Sequence, residues 1–170
     1  KLADEGSENY FSYIDFLGLS NEDNVVVLSS SNHYYYDDED MKDIRIIVNQ
    51  KSLNYIKELK EFLQTIHFIL PQNAFFIGSF IDGKNSTSYL FGSNKHRYQL
   101  AEKVDPVENG ISSRFPLLNM IYDFMDSRTN RYLTGKTARV MLEAAGFEVQ
   151  NMREINGLTF FEAISRPSSD

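Results

Sequence analysis

Cysteine is absent from these 170 residues. That excludes a disulfide scaffold, thiolate zinc sites and a Cys nucleophile, while leaving the compartment open. No apolar run approaches the roughly 18 residues of a membrane span, and the start does not read as a signal peptide. There is no internal repeat, and low complexity is confined to the tail Pro167 to Asp170. Basic residues are in deficit: 17 Lys+Arg against 24 Asp+Glu give a net charge of −7. Such a field repels phosphate backbones and anionic lipid, so neither nucleic acid nor a membrane surface is expected as a partner. Lys95, His96, Arg97 and Lys103 are too few for a nucleic-acid stripe. The first residue is Lys1 rather than Met, which leads us to expect a longer precursor. A cytoplasmic location is expected, with membrane association only through a missing N-terminal segment or a partner.

What is present is ordinary globular material, 42% hydrophobic and 24% charged, enough to bury a core in a single domain spanning 1–170. Residues 1–9 are polar and expected to be loose. Tyr10 to Leu17 is aromatic and apolar, consistent with either an edge strand or a helical turn. Val25 to Leu28 is a continuous apolar run of the kind that suits a strand covered on both faces, and Ile44 to Val48 and Phe75 to Ile81, broken only by Arg45 and by Gly78-Ser79, read the same way. Between the last two, Leu53, Ile56, Leu59, Leu63, Ile66 and Leu70 follow helical spacing over 53–70. Ser52 is the expected cap and Pro71 the stop, which makes a βαβ unit. Residues 83–110 form a long variable excursion. Helices are expected over 116–126, with Pro116 in the first turn, and over 135–145, with Thr134 as N-cap and Gly146 just beyond the end. Phe147 opens a strand, Asn156-Gly157 is the dipeptide of a type I′ turn, and Leu158 to Ile164 returns.

Motif chemistry is sparse. Gly135-Lys136-Thr137 resembles the end of a phosphate-binding loop, but Asn130 stands where that loop needs glycine, so a capped helix start explains it. Asp37-Asp38-Glu39-Asp40 lacks the alternation and central glycine of a calcium loop and reads as a solvated turn. Of the adjacent Tyr34, Tyr35 and Tyr36, at least one is expected to be exposed or to cover a cleft. His33, His67 and His96 have no partners at i+3 or i+4, so no metal site is expected, and His67 reads as a surface imidazole. No Gly-x-Ser-x-Gly elbow accompanies any serine. Asn85-Ser86-Thr87 matches a glycosylation sequon that short chance matches also produce. In open parallel sheets, ligands bind outside the carboxyl ends of strands. Here those ends are Ser29 to His33, Asn49 to Lys51 and Ser79 to Asp82, and their short polar side chains suit a small polar ligand.

The order from Ile44 onward resembles the carboxyl half of a class I S-adenosylmethionine-dependent methyltransferase. Leu70-Pro71-Gln72-Asn73-Ala74-Phe75-Phe76-Ile77-Gly78 is similar to that family's entry to its fifth strand. Leu142-Glu143-Ala144-Ala145-Gly146-Phe147 and the closing Arg153-Glu154-Ile155-Asn156-Gly157-Leu158-Thr159-Phe160-Phe161 are similar to its final helix and hairpin. More narrowly, Ser29-Ser30-Ser31 after a strand, and Ile47 to Ile56, resemble methyltransferase-like segments of bacterial exopolysaccharide-biosynthesis sugar-transferase proteins. The resemblance implies an α/β fold: a reduced Rossmann-like sheet, mostly parallel, with a C-terminal antiparallel hairpin. Two departures stand out. The first candidate turn, Ser29 to His33, has no glycine, and about 15 residues separate Leu28 from Ile44, too few for two further βα units.

The first reading is therefore a degenerate methyltransferase-like domain, non-catalytic, with a binding or assembly role in bacterial surface-polysaccharide biosynthesis and no cofactor. The alternatives are an active small S-adenosylmethionine-dependent methyltransferase and an accessory interaction domain. In the second, Ser30, Asn32, His33 and Asn49 make the cofactor cleft. In the third, the Tyr-rich segment pairs with a partner, such as a polysaccharide-biosynthesis protein, or with itself, and a sheet edge left by the missing strands favours a homodimer. Catalytic residues are left unassigned, since fold-level likeness does not place a site.

Overall fold

The computed structural model describes residues 2–29, 41–84, 116–125 and 129–167. In chain order these form α1 (Leu2–Phe16), β1 (Val25–Leu28), β2 (Ile46–Asn49), a 3-10 turn (Leu53–Tyr55), α2 (Leu59–Ile69), β3 (Phe75–Phe80), α3 (Pro116–Met125), α4 (Gly135–Ala144), β4 (Phe147–Ile155) and β5 (Leu158–Ser165). The five strands make one sheet in the order β1-β2-β3-β5-β4. β1, β2 and β3 run parallel, with Val25 opposite Ile46 and Ile46 opposite Phe75. β5 runs antiparallel to both β3 and β4.

The sheet is thus mixed rather than mostly parallel. The cause is local. Asn156 and Gly157 adopt φ of 50° and 82°, as a type I′ turn demands, so β4 and β5 fold on each other directly. β5, not β4, then takes the place beside β3. Phe161 lies opposite Gly78 there, and its ring occupies the space a side chain at Gly78 would need. From that position it meets Phe76 edge-on at 5.3 Å, while Phe76 packs on Phe147 at 5.4 Å. These rings join Phe62, Leu63 and Ile66 of α2 and Ala138 and Leu142 of α4 in the larger core, on one face of the sheet.

The opposite face carries Ile46, Val48, Ile77 and Phe160, and among the described residues the helix packed on it is α1, through Tyr10 and Tyr13. That settles the open choice at Tyr10–Leu17 in favour of helix. Residues 2–9, expected to be loose, belong to the same helix.

The segment expected as one helix over 53–70 is two pieces. Ile56 is extended (φ −90°, ψ 124°) and Glu58 is left-handed (φ 46°). The interruption lets the Lys57 amide donate to the Phe124 carbonyl at 2.8 Å, which brings the end of α3 against the break. Ser52 caps no helix; its hydroxyl donates to the Asn54 side chain at 2.7 Å. Other end signals behave as expected. Thr134 accepts from the Thr137 amide, Gly146 takes φ 102° after α4, and α3 starts at Pro116. The excursion is described only at Gly83 and Lys84. The Tyr34–Tyr36 and acidic runs, the sequon and Lys95 to Lys103 lie outside the described residues.

Gly78→Ala should be costly out of proportion to its size. The added Cβ would lie 2.7 Å from the Phe161 ring in the middle of the sheet, and overpacking of that kind costs about 1–3 kcal/mol. Urea unfolding should show a lower midpoint at an unchanged slope.

Candidate functional site

The carboxyl ends of β1, β2 and β3 meet at one edge of the sheet, where Ser29, Asn49 and Ser79 are all buried. Of the cleft residues expected from sequence, Ser30, Asn32 and His33 lie outside the described residues, and Asn49 lies within them. Asn49 does not line an open cleft, being 0% exposed. Its Nδ2 donates to the Lys51 carbonyl at 2.9 Å and its Oδ1 accepts from the Lys51 amide at 3.1 Å. One N–H and one acceptor position of the side chain thus turn the chain out of β2, as short Asx side chains do.

The backbone of Asn49 is capped from the other face. Tyr10 of α1 donates its hydroxyl to the Asn49 carbonyl at 2.7 Å and lies 2.7 Å from Ser79 Oγ. A phenol has one proton to give, so Ser79 is the donor in the second bond. Burial pushes the Tyr10 phenol above its ordinary range, opposed in part by the bond from Ser79. Tyr10 therefore stays neutral and closes the underside of the strand ends. Further along α1, burial also raises Tyr13, helped by the charge of Glu162 and opposed by Arg153. Glu162 is itself raised by burial beneath the helix. The Arg153 guanidinium lies over the Phe16 ring, 4.3 Å from its centre.

Beyond β3 the edge is built by Asn54, which is buried inside the 3-10 turn. Its Oδ1 accepts from the Ile81 amide at 2.8 Å, and its Nδ2 donates to the carbonyls of Ile81 at 3.1 Å and Arg131 at 2.9 Å. Asp82 and Leu133 form a parallel bridge, and Gly83 donates to the Leu133 carbonyl at 2.7 Å. Asp82 accepts the first amide of α4, from Gly135, at 3.0 Å and the Lys84 amide at 2.9 Å. A carboxylate at a helix N-terminus is favourably placed against the helix dipole. The Lys51 ammonium is bonded to the Met125 carbonyl. Sequence reasoning named Ser79 and Asp82 only as strand-end composition and missed Tyr10 and Asn54 as anchors. The opening of α1 has weak helical signals, and Asn54 sits inside a strong apolar period.

No group of three metal-ligating side chains gathers among the described residues. A shallow cavity of about 350 Å³ lies elsewhere, lined by His67, Glu143, Gly146, Phe147 and Arg166. That is the end where β3 and β4 begin, away from the strand-end cluster. His67, expected as a surface imidazole, is half-buried at this cavity: Nε2 bonds the Arg166 carbonyl at 2.8 Å and the ring meets Phe147 edge-on.

No family model and no curated protein matches this chain. Solved structures that resemble it include a SAM-dependent methyltransferase from Thermotoga maritima, described as a possible histamine N-methyltransferase. It is 12% identical, with a TM-score of 0.42, covering 81% of this chain and 61% of the other. A SAM-dependent methyltransferase from Methanosarcina mazei is 16% identical with a TM-score of 0.41, covering 81% of this chain and 65% of the other. PigF with SAH is 13% identical at a TM-score of 0.41, covering 95% of this chain and 45% of the other. The chain thus spans less than two thirds of each of these neighbours.

Tyr10→Phe should leave the Asn49 carbonyl and the Ser79 hydroxyl without their partner, a loss of about 1–3 kcal/mol for buried groups. Hydrogen exchange should quicken in α1 before it quickens in β3. Glu162 gives a separate test through pH. Its folded value lies above the ordinary 4.5, so its contribution to stability is full below the unfolded value and lost as pH rises through the folded one. Unfolding free energies should show that decline in the parent, and Glu162→Gln should remove it. An unchanged slope in the variant would refute the assignment.

Proposed function

We propose that this chain is a methyltransferase-like domain that transfers no methyl group itself and serves in binding or assembly, in the setting of bacterial surface-polysaccharide biosynthesis. The observation that carries the first part is the state of the strand ends. A nucleoside cofactor held at such an edge needs backbone amides and polar side chains with free hydrogen-bonding capacity, reached through a glycine-rich turn. Here Asn49 is wholly buried, its amide closed on Lys51, while Ser79 and the Asn49 carbonyl are engaged by Tyr10. Asp82 already receives two backbone N–H groups. These described groups do not fit S-adenosylmethionine, so no chemical step is assigned to it.

The architectural half of the reading is supported by three parallel strands closed by a hairpin whose second strand inserts antiparallel beside the third. The polysaccharide setting draws on the likeness of Ser29-Ser30-Ser31 and of Ile47 to Ile56 to segments of exopolysaccharide-biosynthesis proteins.

Calorimetric titration with S-adenosylmethionine and S-adenosylhomocysteine tests the proposal. The expected result is no saturable heat up to millimolar ligand from protein that unfolds cooperatively. Saturable micromolar binding of either would overturn it and support the active-enzyme alternative, with Ser30, Asn32, His33 and Asn49 as the cleft to mutate first.

A further inference from the structure

We propose that Glu162 makes the seating of α1 on the sheet depend on pH: the helix is held while this carboxyl is protonated and loosens locally once it ionises. The inference rests on how α1 is packed, and stands whether or not the strand ends take a cofactor.

Along β5 the side chains alternate between the two faces of the sheet. Phe161 and Ala163 enter the larger core, whereas Leu158 and Phe160 lie under α1. Glu162 falls on the α1 face with them, between Ile77 of β3 and Asn151 of β4. A carboxyl is out of place there. It is half-buried, and it makes no hydrogen bond or ion pair among the described residues. Tyr13 covers this part of the face. It is 0% exposed, its ring lies 5.2 Å from that of Phe160, and its hydroxyl donates to Asn151 Oδ1 at 3.4 Å.

The charges nearby do not repair this. From α1 the groups that face the sheet are the phenols of Tyr10 and Tyr13, both kept neutral by burial, while Asp15 is exposed and accepts from the Ser20 hydroxyl. From β4 comes Arg153, whose guanidinium lies over the Phe16 ring, and beyond the bulge Glu148, which is paired with Arg166 at 2.7 Å. β3 and the rest of β5 carry no charged residue. An ionised Glu162 therefore gains more from water than from a seated helix, and burial raises its pKa accordingly. Seating is full below the value of the open state and weakens as pH rises through that of the seated state.

The helix is placed to move without the rest of the fold. It is attached through the smaller cluster, while the larger core holds the sheet from the other face. Its polar tie is the Tyr10 hydroxyl on the Asn49 carbonyl and Ser79. Loosening α1 uncovers those two groups, so that pH governs access to the strand ends from this side.

The test is hydrogen exchange on the full chain across pH, corrected for the intrinsic pH dependence of amide exchange, with the Glu162 carboxyl followed by carbon-13 NMR. Protection of the Ile14 and Leu17 amides should fall as pH rises, by about tenfold for each unit separating the seated and open titrations, and level off above the carboxyl's own midpoint. These amides should also be less protected than those of Ile77 and Gly78, and less sensitive to urea, since a local opening exposes little surface. Glu162→Gln should abolish the fall. Protection of α1 that ignores pH, the same fall in Glu162→Gln, or protection and urea dependence equal to those of β3 would each overturn the proposal. Titration with S-adenosylhomocysteine bears on the proposed function alone, so the two readings fail separately.

Discussion

The side-chain amide of Asn54 uses its whole hydrogen-bonding capacity: two acceptor positions filled by Ile81 N–H and the Ser52 hydroxyl, two donors given to the carbonyls of Ile81 and Arg131. It does this while buried, where each unmade bond would carry a full desolvation penalty. One residue therefore joins three pieces of chain that are far apart in sequence: the turn after β2, the end of β3 and the segment entering α4. The interruption of the helical period at Ile56 and Glu58 follows from the same constraint. A continuous helix from Leu53 would have spent the local backbone bonds on itself and turned Asn54 out of reach of Ile81. Binding to β3 and to Arg131 outweighs propensity over those five or six residues.

This explains where the sequence was legible and where it was not. Signals that act within a few residues were readable: the Asn156-Gly157 turn, the Thr134 cap, Pro116 in a first turn, Gly146 after a helix. The apolar runs at Val25 and Phe75 also gave their strands, since a run of that length has few other ways to be buried. What could not be read depends on partners distant in the chain. The face of Tyr10 is settled by Asn49 and Ser79, and the break at Ile56 by Ile81, Phe124 and Arg131. The mixed sheet had the same cause. Both hairpin strands were legible, but which of them lies beside β3 is decided by Phe161 filling the space over Gly78.

The two faces of the sheet are held by different means, and the difference bears on function. One face is closed by a continuous aromatic and aliphatic core under α2, α3 and α4. The other is covered by α1 through a smaller cluster, with Tyr10 and Tyr13 as its largest members and a half-buried carboxyl, Glu162, at its margin. The tie between α1 and the strand ends is polar and specific, not just apolar. Tyr10 reaches two strands at once, so seating the helix also satisfies polar groups at the edge of the sheet. Any ligand favouring an ordered edge would also favour a seated α1, because coupling between two sites is reciprocal.

The candidate site reads differently once those ties are counted. Polar residues at the carboxyl ends of parallel strands suggest ligand capacity from composition, but a group contributes only what its existing bonds leave unused. Asn49, Ser79, Asn54 and Asp82 are all engaged by the fold itself. They make the edge rigid. Tyr132 at the same edge is exposed, with its ring beside Gly83. The consequence is that the buried polar residues hold the edge in one shape.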